Sequence, residues 1–225
     1  MSQLKMDNVS YCYRKSNSYA VKMVSCTFEL GQLYVVMGPS GSGKTTLLSL
    51  MAGLDYPTDG VISFDGTSLS NLDLDKYRRE NIAMIFQAFH LFPLLTVIEN
   101  VCYPMVSNGV HPKNAKIKAE ELLLQVGITR EKFNRFPSNL SGGEQQRVAI
   151  SRSLASGAKV LLADEPTGNL DVSNSKNIMG ILSALAHDEG YCVIIVTHDM
   201  DVTKKADKVL RMTDGELGAD VGFCI

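Results

Sequence analysis

Four short, nearly unbroken runs of apolar residues punctuate the chain, at 33–37, 82–86, 159–163 and 192–196. Runs of this length and composition are typical of strands buried on both faces of a parallel sheet. Apolar residues at helical spacing follow or separate the runs, at 45–54, 113–126, 141–155 and 177–186. This alternation of buried strands and helices predicts an α/β fold.

Other segments carry the signals of short strands and turns. Residues 4–30 predict short strands, with a turn at 15–18 and another at 31–32. A strand at 61–64 runs into the hairpin turn Asp65-Gly66. A last hairpin is expected over 209–216, because Asp214-Gly215 follows an apolar strand there.

The segment 90–127 differs in character from the strands around it. A proline-interrupted apolar stretch is followed by an amphipathic helix, which indicates a helical insertion between core strands. The group Phe89, Leu91 and Phe92 fits either a small core or a contact patch. The charged residues between 69 and 80 predict a solvated helical face.

Composition restricts the class of protein. A chain of 225 residues with 45% hydrophobic residues suits one α/β domain with a sizeable core. A net charge of -2 gives no reason to expect nucleic acid as a main partner. No apolar run approaches the roughly 20 residues of a membrane helix, and no signal region opens the chain, so we expect a cytosolic location. Five scattered cysteines without CxxC spacing indicate reduced thiols in packing roles.

The first apolar run leads directly into a glycine-rich loop and then a helix. The loop comprises Gly38, Pro39, Ser40, Gly41, Ser42, Gly43, Lys44, Thr45 and Thr46. It fits the pattern G-x-x-x-x-G-K-[ST] in the strand–loop–helix context that this pattern requires. Glycines let backbone N–H groups turn toward an anion, and the helix N-terminus adds partial positive charge. Lys44 can reach outer phosphates and the Thr45 hydroxyl can ligate Mg²⁺.

The other three runs are each followed by polar or charged residues that could bind or react with a ligand. Gln87 follows the second run, Asp164 and Glu165 follow the third, and His198 lies just after the fourth. Adjacent carboxylates at the end of a buried strand need a partner such as a cation, because burying charge is costly. Ligands bind outside the carboxyl ends of strands in an open parallel sheet. The four strand ends are therefore expected to meet one nucleotide.

Another candidate ligand-binding feature is the segment Ser141-Gly142-Gly143-Glu144, which has the spacing of a helix capping box. Two glycines in the first turn are costly for a helix. They make sense if a ligand must approach the backbone closely.

The sequence LSGGEQQR at 140–147 resembles the signature motif of the ABC ATPases. The phrases GPSGSGKTT, VLLADEP, GNLD and TH occur in that family's order, so the resemblance covers essentially the whole chain. It implies a P-loop NTPase (RecA-like) core with an antiparallel β subdomain and an inserted α-helical subdomain over roughly 88–157, within a single domain spanning 1–225.

The resemblance also implies a role for each matching residue. Lys44 would bind phosphate, Thr45 and Asp164 would hold Mg²⁺, Gln87 would sense the metal and the attacking water, and Glu165 would be the general base. His198 would contact the γ-phosphate of ATP, and Asp171 belongs to the D-loop, which reads GNLD here against the commoner SALD. Ser141 and Gly143 would bind the γ-phosphate held by a second subunit. Tyr13 matches the aromatic residue that stacks on adenine, although Tyr11 lies close enough to be the alternative.

Within the family, FQAFHLFPLLTVIENV and LSGGEQQRVAISRSLA resemble the ATPases of macrolide exporters, lipoprotein-releasing systems and peptide-resistance exporters. The resemblance implies an ATP-sandwich homodimer beneath a separate integral-membrane permease, at the inner face of the cell membrane. From these 225 residues we expect a cassette that works without a second cassette or a C-terminal regulatory domain in the same chain.

Two functions fit this pattern, and a third fits it poorly. The first is the ATPase subunit of a transporter that exports or extracts a hydrophobic or peptide-like substrate. The second is a mechanical signalling module that moves a permease-like protein without transport. The third, a soluble ABC protein of DNA repair or translation, usually needs two cassettes or a long coiled coil, and the sequence has neither.

Overall fold

The computed structural model describes residues 3–14 and 18–218. Its strands are β1 Gln3–Cys12, β2 Tyr19–Glu29, β3 Leu33–Met37, β4 Asp59–Phe64, β5 Thr67–Ser68, β6 Ile82–Ile85, β7 Val160–Asp164, β8 Cys192–Thr197, β9 Lys208–Thr213 and β10 Glu216–Gly218. Its α-helices are α1 Lys44–Met51, α2 Leu74–Glu80, α3 Val97–Ser107, α4 Pro112–Gln125, α5 Gly142–Leu154, α6 Val172–His187 and α7 Met200–Thr203. Most of the predicted turn at 15–18, and Cys224, lie outside the described residues.

The four apolar runs form neighbouring strands of one six-stranded sheet, in the order β10-β9-β3-β8-β7-β6. The pairs β3–β8, β8–β7 and β7–β6 are parallel, as predicted. Met37 pairs with Thr197, and Asp164 pairs with Val196, so the three strands end at one edge. The last hairpin is present, and its first strand β9 also pairs in parallel with β3. The sequence did not reveal that β9 extends the parallel sheet.

The amino-terminal part forms a four-stranded antiparallel sheet, in the order β2-β1-β4-β5. The expectation of short strands over 4–30 was wrong, because β1 and β2 contain 10 and 11 residues. Their ladder shifts register between Met6 and Val9, and Asn8 and Met23 have positive φ. Such bulges interrupt strict alternation of apolar and polar residues, which is the signal that would have indicated long strands.

Two hydrophobic cores cover the two faces of the six-stranded sheet. Leu33 and Val35 point into a core shared with α3, α4, α5 and α6. Tyr34 and Val36 point into a core shared with α1 and the antiparallel sheet. Because β3 is buried on both sides, its residues show no polar alternation.

Helices α3, α4 and α5 follow one another between β6 and β7, where a helical insertion was expected. Leu91 packs against the first core, whereas Phe92 is exposed, so the apolar group divides between core and surface. The charged stretch holds α2, whose Tyr77 is buried and donates to the carbonyl of Met51 at 2.8 Å. Within the described ranges, no helix has the length and apolarity to cross a membrane.

Burial of the thiols fits their predicted packing role. Burial raises the pKa of Cys192 to about 12 and that of Cys26 to about 11. These thiols therefore stay protonated at neutral pH and act as small apolar side chains.

Candidate active site

A pocket of about 800 Å³ opens at the carboxyl edge of the six-stranded sheet. It is lined by Tyr13, Ala20, Pro39, Ser40, Gly41, Gly43, Lys44, Thr45, Thr46, Gln87, Asp164, Glu165 and His198. Residues from all four predicted strand ends therefore share one cavity. Gly38 and Ser42, also predicted, belong to the same loop but do not line the cavity. The volume and the polar groups are those of a small-molecule site.

The glycine-rich loop is shaped to receive an anion. Gly43 is the N-cap of α1 with φ +103°, and a Cβ there would lie 2.0 Å from the carbonyl oxygen of Ala20. Only glycine fits this position. Helix α1 has no side-chain cap and no acidic residue in its first turn, so its N–H groups have no competing partner there. A phosphate oxygen matches this helix terminus.

Lys44 supplies full positive charge to this loop. Its ammonium group donates to the carbonyls of Gly38 and Pro39 at 2.8 Å each, and the side chain is largely buried. Because no carboxylate neutralises it in these contacts, the ammonium adds its charge to that of the helix terminus.

Thr45 and Asp164 bring two oxygen ligands together at the loop. The Thr45 hydroxyl donates to Asp164 Oδ2 at 3.0 Å. Burial raises the pKa of Asp164, while nearby Lys44 opposes that shift, and a bound cation would favour the charged form further. The described residues contain no cluster of three or more His, Cys, Asp or Glu side chains able to enclose a metal. Hydroxyl and carboxylate oxygens fit Mg²⁺, which keeps waters and substrate phosphates as its other ligands.

Each carboxylate oxygen of Glu165 has a side-chain partner that fixes its position. The Thr197 hydroxyl donates to Oε2 at 2.9 Å, and His198 Nδ1 lies 2.7 Å from Oε1. The backbone of Glu165 has φ +46°, an unusual value for a residue with a side chain. Its N–H donates to Val196, and its carbonyl accepts from Gly168. Strained backbone held by many partners is frequent at reacting centres.

Thr197 was missed by sequence reasoning. The available signal was its place as the last residue of β8, beside the predicted His198. A hydroxyl at the end of a buried strand points toward whatever lies at that edge of the sheet.

Gln87 is tied to the loop that follows Glu165. Its side-chain amide donates to Asn169 Oδ1 at 3.2 Å, and the Asn169 amide donates to the carbonyl of Gln87 at 3.1 Å. This reciprocal pair joins the segments after β6 and β7. The role of Asn169 was also missed, although it is one of the two positions at which GNLD departs from SALD.

The pocket separates the two tyrosines that the sequence left as alternatives. Tyr13 lines the pocket, and its hydroxyl lies 2.8 Å from that of Thr46. Tyr11 contributes no surface to the pocket and lies 3.4 Å from Asp55 Oδ1 through its hydroxyl. The two rings meet edge to face at 5.0 Å, so Tyr11 supports the ring of Tyr13.

Ser141, Gly143 and Asp171 do not line this pocket. Ser141 and Glu144 form the predicted capping box at the start of α5. Asp171 caps α6 by accepting from the backbone N–H of Asn174 at 2.8 Å, and bonds from Asn174 hold its pKa below the ordinary value.

Packing between α5 and α6 within the chain also favours glycine at position 143. A Cβ on Gly143 would lie 2.2 Å from the side-chain oxygen of Asn174 on α6. A side chain at 143 would therefore require the Asn174 side chain to move, so packing between α5 and α6 favours glycine there beside the expected ligand approach. Gly142 has ordinary contacts, the nearest being Leu170 at 3.5 Å.

Comparison with known proteins agrees with this geometry. A profile of the ABC transporter family matches residues 21–168, more than half of the chain. The chain is 39% identical over 215 residues to an uncharacterized ABC transporter ATP-binding protein, YclH, of Bacillus subtilis, covering 96% of this chain and 95% of that protein. It is 40% identical to the macrolide export ATP-binding/permease protein MacB of Shigella flexneri over 96% of this chain and 33% of MacB.

A solved structure has the same architecture. It is the dimeric post-hydrolysis state of the ATP-binding cassette MJ0796, a Methanocaldococcus jannaschii protein, bound to ADP and Pi. The TM-score is 0.86 at 37% identity, covering 98% of this chain and 100% of that one. The predicted fold class is thereby confirmed.

Proposed function

This chain belongs to the ABC transporter family as an ATP-binding, ATP-hydrolysing cassette, and we propose that it works as a homodimer that drives a separate membrane permease. One observation carries the proposal: Lys44, Asp164, Glu165 and His198 share a single pocket. It combines a phosphate-binding loop, a cation ligand and a carboxylate able to take a proton from water.

Within this proposal, Glu165 is the general base of hydrolysis. Its carboxylate is only 16% exposed, and Thr197 and His198 orient it toward the pocket. A water on the pocket side of Glu165 would lose its proton to this carboxylate as it attacks the γ-phosphate. His198, which is 70% exposed, presents its outer edge to phosphate oxygens in the pocket. Lys44 and the N–H groups of α1 stabilise the charge on the phosphates.

Thr45, Asp164 and Gln87 are the proposed residues of the Mg²⁺ site. The short Thr45–Asp164 contact and the buried carboxylate support this assignment. When bound, Mg²⁺ neutralises charge on the phosphate oxygens during transfer. The Gln87 amide donates to the Asn169 side chain, a contact that it could exchange for metal or water.

Tyr13 is the proposed platform for the adenine ring. Its position in the pocket, its exposed face and the edge contact from Tyr11 support this role over Tyr11 itself. An aromatic ring offers a flat apolar surface on which a base can stack.

The proposed homodimer places Ser141, Gly143 and Asp171 against the nucleotide held by the other subunit. These residues lie outside their own pocket, which supports a role toward a second copy. Val172 and Met200, which follow Asp171 and His198, are exposed apolar residues at 71% and 58%. Exposed apolar side chains beside a polar site indicate a surface that a partner covers. The MJ0796 cassette is dimeric in its solved structures.

A groove on another face supports the proposed permease contact. It has a volume of about 300 Å³ and is lined by Arg78, Ile82, Ala83, Met84, Phe92, Tyr103, Pro104, Arg152, Ser153 and Ser156. Phe92 and Tyr103 are exposed aromatic residues, with Arg152 over the ring of Phe92. Apolar surface next to cationic side chains suits a segment of another protein.

The proposed location is therefore the cytoplasmic face of the membrane, with export or extraction of a hydrophobic or peptide-like substrate as the task. The name of MacB joins ATP binding with a permease for macrolide export, and this chain spans 33% of that protein. In this proposal the permease, and not this chain, recognises the substrate.

The test is to purify the chain with its permease partner and place the complex in lipid vesicles. ATP-dependent movement of a solute across the vesicle wall, lost in Lys44→Ala, is the expected result. Hydrolysis stimulated by the permease without movement of any solute would favour the mechanical signalling module instead. The absence of any stable membrane partner would contradict both forms of the proposal.

A further inference from the structure

Gln146, on the helix α5, is a fully buried polar residue with an unusual set of contacts. Its exposed fraction is 0%. Its side-chain nitrogen donates to the carbonyl of Pro166 at 2.8 Å and to the carbonyl of Phe86 at 3.4 Å. Its side-chain oxygen, Oε1, is buried and has no hydrogen-bond partner. The orientation of the amide follows from the two carbonyls, which only an N–H can satisfy.

The two carbonyls belong to the segments that carry the reacting side chains. Phe86 directly precedes Gln87, and Pro166 directly follows Glu165. A single amide group therefore ties α5 to the end of β6 and to the end of β7. Each residue that accepts a bond from Gln146 is therefore adjacent in sequence to a proposed site residue.

The hydrogen bond from Gln146 to the Pro166 carbonyl helps to fix the strained backbone of Glu165. A left-handed φ on glutamate persists only where surrounding contacts fix it. The Gln146–Pro166 bond is one such contact, beside the bonds of the Glu165 backbone to Val196 and Gly168. The direction of the Glu165 carboxylate depends on this turn.

The buried Oε1 atom is a cost that accompanies the two bonds of the amide nitrogen. An unsatisfied buried acceptor costs stability, whereas the N–H groups of the same amide satisfy the Phe86 and Pro166 carbonyls. Polar groups kept at such a cost are frequent where position is needed for function.

We propose that Gln146 is a positioning residue that fixes Gln87 and Glu165 relative to α5 through its bonds to Phe86 and Pro166. It contacts neither nucleotide nor water itself. The inference rests on the proposed role of Glu165 as the base.

The decisive variant is Gln146→Met, which keeps the length and the helix preference of the side chain but removes both donors. We expect kcat for ATP hydrolysis to fall by about 10- to 100-fold, because small displacements of a reacting group are costly. We expect the affinity for a fluorescent ATP analogue to change by less than about 3-fold, since the phosphate loop is not touched. The melting temperature should fall by less than about 8 °C, because the loss of the two bonds is offset in part by removal of the unsatisfied Oε1, and the variant should unfold in a single cooperative transition.

Ser151→Ala is the matched control. Ser151 lies on the same helix, is fully buried, and donates to the carbonyl of Leu122 on α4 at 3.2 Å. This bond ties α5 to a neighbouring helix and not to the segments after β6 and β7. Its removal should leave kcat within about 2-fold of wild type.

Gln146→Glu adds a pH readout. A protonated glutamic acid can donate to the Pro166 carbonyl as the amide does, whereas a carboxylate cannot. Burial raises the pKa of a carboxyl group toward neutrality. The kcat of this variant relative to wild type should therefore be higher at pH 6 than at pH 8.5, with melting curves confirming a folded protein at both values.

Three outcomes would overturn the inference. They are a Gln146→Met enzyme with kcat within 2-fold of wild type, a loss of kcat matched by an equal loss in Ser151→Ala, and a Gln146→Glu profile parallel to wild type. Glu165→Gln is measured in the same series. If that variant loses turnover while Gln146→Met does not, the role of Glu165 stands and only the inference about Gln146 fails.

Discussion

His198 Nδ1 lies 2.7 Å from Glu165 Oε1, and this contact joins the ends of two neighbouring parallel strands. The two side chains differ in exposure, at 70% for His198 and 16% for Glu165. The carboxylate is thus fixed from the protein side, while the imidazole keeps an open edge toward the pocket. In the proposed mechanism, this pair faces the attacking water and a phosphate oxygen.

Replacing Glu165 with glutamine should separate binding from turnover. The amide keeps the size of the side chain but cannot take a proton, so turnover should fall by at least about 100-fold. Affinity for ATP should persist, because the phosphate loop is unchanged. Steady-state hydrolysis and equilibrium binding measure the two effects, with Glu121→Gln on the exposed side of α4 as the control. Turnover within a few-fold of wild type would show that another group is the base.

Lys44→Ala should weaken ATP binding and abolish hydrolysis. The variant removes the full positive charge of the loop and leaves only the partial charges of N–H groups. Nucleotide titration and phosphate release are the measurements, and Lys113→Ala at the surface of α4 is the control. Unchanged affinity together with unchanged turnover would contradict the phosphate-loop assignment.

The Glu165→Gln protein should be monomeric without nucleotide and dimeric with ATP, as measured by light scattering. ATP bound at each P-loop would bridge to Ser141 at the N-terminus of α5 in the second subunit, giving twofold symmetry. ADP lacks the γ-phosphate and should not hold the pair. Adding Ser141→Arg should block dimerisation by a clash while single-subunit binding persists. If that double variant dimerises as strongly as its parent, α5 does not lie at the dimer interface.

Gly143→Ala should destabilise the isolated chain far more than Gly142→Ala. The first adds a methyl group 2.2 Å from the Asn174 oxygen, and the second adds one at 3.5 Å from its nearest neighbour. Overpacking of this kind costs about 1–3 kcal/mol. Chemical denaturation of both variants gives the difference directly, and equal stabilities would mean that α5 and α6 are not in this contact.

The ion pair between Lys132 and Glu144 should make stability depend on pH. A hydrogen bond from Lys132 holds the pKa of Glu144 below its ordinary value, with burial opposing the shift. The folded state therefore gains stability above the unfolded pKa of about 4.3, and this gain is lost as the pH falls through the lower folded pKa.

Lys132→Met should accordingly lower stability at pH 7 by about 1 kcal/mol. The difference from wild type should shrink toward pH 3, where Glu144 is protonated in both states. Lys118→Met, which removes a more exposed pair with Glu121, should show a smaller effect at pH 7. A Lys132→Met deficit that stays constant with pH would contradict the electrostatic origin.

The sequence by itself determined the core strands and most of the pocket. Buried parallel strands need apolar residues on both faces, so the four runs were visible without structure. Parallel strands also end at a common edge, so the residues that follow each run had to meet. Lys44, Gln87, Asp164 and Glu165 could be placed in one site for that reason.

Only the tertiary structure decided which side chains support that site. The placement of Tyr13 in the pocket and of Tyr11 outside its lining depends on a bulged strand whose register breaks alternation. The contacts of Thr197, Asn169 and Gln146 join segments far apart in the chain. No local pattern encodes such contacts, because hydrogen bonds between loops and packing between helices depend on how whole elements are placed. Local periodicity specifies the elements, and the assembled fold specifies their mutual contacts.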